Sequence, residues 1–142
     1  MVGRTEEALA LRRDVYFGTV KMFGEESPDT LSEAHRYAAC LANLQRFKEA
    51  KSLWRKTMPV ARRVLGEGNQ FTLLMRRNYS LLLLDDDDAT LEDLREAVNS
   101  LEETEQIARR VFGSGHPDVA GIEKVLQDAR AALRARETPG DA

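Results

Sequence analysis

Several kinds of residue are scarce in this chain of 142 residues, and each scarcity removes a class of protein. There is one cysteine, so an intrachain disulfide and a disulfide-stapled scaffold are both excluded. The two histidines, His35 and His116, have no Cys or carboxylate set around them at metal-ligand spacing. Neither of them stands in a sequence arrangement with a serine or with Cys40 that suggests an activated nucleophile. Aromatic residues make up only 6%, too few for a platform that stacks on bases. Basic residues are in deficit, 21 against 24 acidic ones, and a net charge of −3 argues against a general phosphate-backbone binder. No apolar run approaches the ~18 residues that span a bilayer. The opening Met-Val-Gly-Arg-Thr-Glu-Glu lacks the apolar stretch of a secretion signal. The expectation is a cytoplasmic protein with no catalytic constellation, no metal, no cofactor, no nucleic-acid partner and no membrane partner.

What the chain does contain is repetition. Met22-Phe23-Gly24, Val64-Leu65-Gly66 and Val111-Phe112-Gly113 are one recurring mark, and Glu7-Ala8, Glu49-Ala50 and Glu96-Ala97 are a second. Both marks recur after 42 and then 47 residues, a period that signals stacked supersecondary units. Each glycine follows a segment with apolar residues at steps of three and four, and suits the residue that ends a helix. The leading segment carries Ala8, Leu11, Val15, Tyr16, Thr19, Met22 and Phe23 on one stripe. Pro28 and Pro117 fit first helical positions, with Ser27 as an N-cap. The spacing predicts six helices, about 4–23, 28–44, 46–65, 70–84, 90–112 and 117–136. The five extra residues of the longer period fall within 81–90, and 138–142 is expected to be a flexible tail.

Pro28-Asp29-Thr30, Tyr37-Ala38, Leu41, Arg46-Phe47-Lys48-Glu49-Ala50 and Trp54 together resemble the tetratricopeptide repeat. The 42-residue period, with leucine–glycine and proline–aspartate turns, resembles the kinesin light chain variety. The resemblance implies a single domain over 4–137: an all-α, right-handed α-solenoid of antiparallel helix hairpins. It implies that Ala38, Ser80, Ala50 and Ala97 are the small residues at helix crossings, and that Trp54 and Leu101 are the bulky ones between hairpins. There are departures: Gln45 stands where the family has glycine, and Ala34 and Arg76 stand where it has a large apolar residue. Arg12 falls where Trp54 sits one repeat later, so the leading helix is expected to present an open face.

In such repeats the first helix of each hairpin lines a concave, peptide-binding groove. Carried over, that face comprises Ser32, His35 and Asn43, then Leu74, Arg77, Asn78 and Leu81, then Lys124 and Asp128. His35, Arg77 and Lys124 share one repeat phase, which predicts a basic ladder for an acidic partner. The run Asp85-Asp86-Asp87-Asp88, with Glu96 twelfth from Asp85, has the length of an EF-hand loop. It lacks that loop's turn glycine, and reads instead as a solvated loop with Thr90 and Asp93 as a capping box. Cys40 reads as a small core residue, and Pro59 as a kink in the third helix. The expected function is a non-catalytic interaction module that binds a partner protein or peptide. The alternative is a structural piece that joins a larger array or homo-oligomer through its terminal helices.

Overall fold

The computed structural model describes residues 2–138. Six α-helices follow one another: α1 (Val2–Phe23), α2 (Pro28–Asn43), α3 (Phe47–Val64), α4 (Gln70–Asp85), α5 (Leu91–Phe112) and α6 (Pro117–Glu137). Every boundary lies within two residues of its sequence expectation. Of the expected tail 138–142, only Thr138 falls among the described residues; its hydroxyl donates to the carbonyl of Arg134 at 2.8 Å. The fold class is all-α, made of the antiparallel helix hairpins from which α-solenoids are built. The helices fall into two compact units, residues 1–66 and 67–142.

The starts and stops have a common chemistry. Gly24, Gly66 and Gly113 take φ of +85°, +98° and +89°, the region where a side chain is strained, and so end α1, α3 and α5. The helices that follow begin in one way with three different residues. Ser27 Oγ, Asn69 Oδ1 and His116 Nδ1 each accept the backbone N–H two residues on, at 3.2, 2.8 and 3.1 Å. At α5, Thr90 and Asp93 form the reciprocal capping box. The connection between α2 and α3 rests on Gln45, which takes φ of +61° where the family has glycine.

In unit 1, α2 packs against both α1 and α3. Ala34 and Ala38 of α2 and Ala50 and Ala61 of α3 are fully buried, so the backbones approach closely. Trp54 is buried beside them. Its indole Nε1–H donates to His35 Nδ1 at 3.1 Å, joining α3 to α2. The expected stripe on α1 is corrected: α1 packs on α2 through Leu9 and Tyr16, while Leu11, Val15 and Met22 face solvent. Cys40 is half-buried rather than a core residue. Pro59 lies inside α3, which continues through it.

In unit 2, α5 packs against α4 and α6, and α4 also meets α6. The core joins Leu73 of α4, Val98, Leu101 and Ile107 of α5, and Val119, Ile122, Val125 and Leu126 of α6. Arg76, on the phase where a large apolar residue is usual, is buried with its guanidinium bonded to Glu103 and Ser100 of α5. The insertion is shared between two elements. The connection 86–90 is longer than its counterpart 44–46, and α5 has 22 residues against 18 in α3.

Trp54→Ala should cost roughly 3–5 kcal/mol, through lost burial and a cavity between α2 and α3; urea unfolding followed by circular dichroism measures it. Gln45→Gly should instead stabilise by about 0.5–1 kcal/mol, since the left-handed strain of a side chain exceeds the entropy cost of glycine. A melting temperature that falls on this substitution contradicts it.

Candidate peptide-binding site

The residues expected to line a binding face separate by unit. In unit 1, Ser32, His35 and Asn43 all lie on α2. Asn43 is exposed, Ser32 is half-buried, and His35 is only 8% exposed. The expected basic ladder therefore loses its first member. His35 Nδ1 accepts the Trp54 N–H, and the two rings sit 5.7 Å apart. An acceptor Nδ1 carries no proton, so the imidazole is neutral. Burial first, and the Arg36 charge second, hold its pKa below the ordinary value of 6.5.

In unit 2 two of the six expected residues, Leu74 and Arg77, line one cleft. Leu74 and Arg77 of α4 face Pro117, Asp118 and Gly121 of α6 across a cleft of about 230 Å³, closed below by Leu73 and Ile122. Leu74 is 42% exposed, the most exposed large apolar residue on α4. The Arg77 guanidinium donates through Nη1 to Asn78 Oδ1 at 3.2 Å, while its Nε is buried with no acceptor. At the mouth of the cleft, Gln70 Nε2 donates to Asp118 Oδ2 at 2.8 Å, tying the first turns of α4 and α6 together. Lys124 and Asp128 lie further along α6 and pair with each other at 2.9 Å. Leu81 packs against the core of the unit.

Sequence reasoning missed Gln70, Asp118 and Gly121. The signal was present in Gly121, since a glycine inside a helix lowers its stability and calls for a reason. A Cβ there would stand 3.6 Å from Arg77 Nε, in contact with the guanidinium. A second concavity of about 390 Å³ was also missed. It lies in unit 1, lined by Tyr16 and Phe17 of α1, Tyr37 of α2 and Lys48, Leu53 and Lys56 of α3.

His116 caps α6 and stacks on Phe112 with ring centroids 4.6 Å apart, so both histidines serve the fold. Among the described residues, no group of three or more His, Cys, Asp or Glu is placed to hold a metal ion. No helix among them is long and apolar enough to cross a membrane.

The family model for the tetratricopeptide repeat matches residues 32–70 and 89–118, which take in most of α2, all of α3 and all of α5 with their turns. This is a tetratricopeptide repeat protein. No curated protein matches the chain. Tetratricopeptide repeats generally mediate protein–protein interaction and are typically non-catalytic. In this tetratricopeptide chain the Leu74–Arg77 cleft lies between two first helices, α4 and α6.

The buried histidine of this tetratricopeptide protein makes stability depend on pH. The folded pKa lies below the unfolded one, so stability is full above about 6.5 and falls as the unfolded chain protonates below it. Between pH 7.5 and 5.5 the melting temperature should therefore drop. In His35→Gln, whose amide oxygen can accept the indole N–H without titrating, the drop should be smaller. Equal slopes in the two proteins would remove His35 as the cause.

Proposed function

We propose that this chain is a non-catalytic interaction module that takes a segment of a partner protein on its first helices, and that the α4–α6 cleft reads that segment. One observation carries the reading: Leu74 and Arg77 stand together at a cleft between first helices, with an apolar surface beside a charged donor. The chemistry that fits is an acidic side chain next to an apolar one. The carboxylate would meet the guanidinium through charge-assisted hydrogen bonds, and the apolar group would cover Leu74. Asp118 is already engaged by Gln70, which lessens its opposition to an incoming carboxylate. Lys124 adds positive charge to the same helix as Gly121, although it shares that charge with Asp128. The 42-residue period and its turns support the kinesin light chain variety, and a cytoplasmic setting belongs to the same reading.

Panning a random peptide display library against the protein tests it. Enriched peptides should combine Asp or Glu with a large apolar residue. Their affinity should fall roughly ten- to a hundredfold in Arg77→Glu, the loss of a charged hydrogen bond worth about 1.5–3 kcal/mol. The melting temperature of that variant should hold, and added salt should weaken binding to the wild type. Peptides that bind Arg77→Glu as tightly as wild type would place recognition elsewhere.

A further inference from the structure

Of the eight large hydrophobic residues exposed among the described residues, five lie on α1. Three of them, Leu11, Val15 and Met22, fall in line, while Phe17 and Phe23 lie on other sides of the helix. Ala8, Leu11, Val15, Gly18 and Met22 follow one another at steps of three and four, and all five are exposed, Leu11 at 66% and Met22 at 78%. That spacing is the a/d pattern by which one helix packs along another. At about 100° per residue the seam lies roughly 120° around α1 from Leu9 and Tyr16, so α2 does not obstruct it. A continuous apolar strip of this kind on a water-exposed helix marks a contact surface.

We propose that this strip is a self-association surface, on which two copies of the chain pair through α1, side by side and parallel. The inference is independent of the α4–α6 cleft. Two observations select the occupant. The exposed face of α6 is interrupted by polar and charged residues, with Lys124, Gln127, Asp128 and Arg134 among its alanines, so it offers an incoming α1 no matching strip. The strip is matched by the same strip of a second copy, and a contact of that kind is isologous and closed at two chains. The charges beside the strip select the direction. Glu7 and Asp14 flank one side, and Arg12 and Thr19 the other. In a parallel pair Glu7 faces Arg12 of the second copy, twice by symmetry, and Asp14 faces a neutral threonine. In an antiparallel pair Glu7 would meet Lys21, but Asp14 would face Asp14 and Arg12 would face Arg12. In the parallel pair Arg4, one step before Ala8 on the same strip, meets its own copy, so that arrangement brings one like-charge pair together against two in the antiparallel one. One pair of 22-residue helices lies at the small end of specific interfaces, so the dimer should be weak, with a dissociation constant on the order of micromolar.

Sedimentation equilibrium of the full chain from about 1 μM to about 1 mM should follow mass action from monomer to dimer and stop there. Leu11→Glu should raise the dissociation constant at least about tenfold without changing helicity, because Leu11 makes its contact outside the fold. Glu7→Arg should also weaken the dimer, and adding Arg12→Glu to it should restore the affinity. In a Cys40→Ser background, Val15→Cys should give a disulfide-linked dimer on mild oxidation, because residue 15 meets residue 15 only in the parallel register. A chain that stays monomeric throughout overturns the proposal and assigns the strip to a different protein segment. So does a dimer indifferent to Leu11→Glu, or one that Val15→Cys fails to cross-link.

Discussion

Close approach of paired helices is the constraint from which most of this structure follows. Two helix backbones can cross at short distance only where the side chains between them are small, and Ala38, Ala50, Ser80 and Ala97 are buried completely at those places. Ser80 reveals how strict the requirement is. Its hydroxyl is buried with no hydrogen-bond partner, so size is kept at the expense of polar satisfaction. With small residues fixed at the crossings, bulk has to go elsewhere along the same helices, and Trp54 and Leu101 occupy the equivalent place in their repeats. A slip of one residue would bring a large side chain to a crossing, which is why the two marks in the sequence keep the same spacing.

Those features were legible because each has a strong local cause. A glycine that needs positive φ, a proline suited to a first helical turn, and a capping box are all written in consecutive residues. The six helices could therefore be bounded to within two residues. Features that depend on three-dimensional neighbours were less legible. Repeat phase put His35 in line with Arg77 and Lys124, but it could not register that the indole of Trp54, nineteen residues away, points at His35. Likewise the spacing on α1 marks an apolar stripe, while the side that meets α2 is set by Leu9 and Tyr16. Of the candidate site, Leu74 and Arg77 were found from phase, whereas Gln70, Asp118 and Gly121 came into view only with the packing of α4 on α6.

The two histidines carry one lesson about function. Each uses Nδ1 as an acceptor, His35 from an indole and His116 from a backbone N–H, and in both cases the ring completes the fold. The neutral, buried imidazole of His35 contributes nothing to a basic strip. Of the expected ladder, Arg77 and Lys124 keep their charge, and Arg77 is the one that lines a cleft beside an apolar surface. Arg76, one residue earlier, is spent inside the unit on Glu103 and Ser100. Adjacent arginines on one helix thus have opposite duties, decided by the face on which each falls.

The acidic connection between α4 and α5 is more ordered than its composition suggests. Asp86 accepts the backbone N–H of Asp88 through its side chain and that of Ala89 through its carbonyl, while Ala89 is buried. Arg136, near the far end of α6, donates to the Ala89 carbonyl at 2.9 Å. A run of four aspartates that would extend by self-repulsion is thereby held as a short, fixed bridge. It behaves as a rigid spacer: the lengthened repeat hands its register from α4 to α5 without play, and a change in the length of this bridge would be felt at the end of α6.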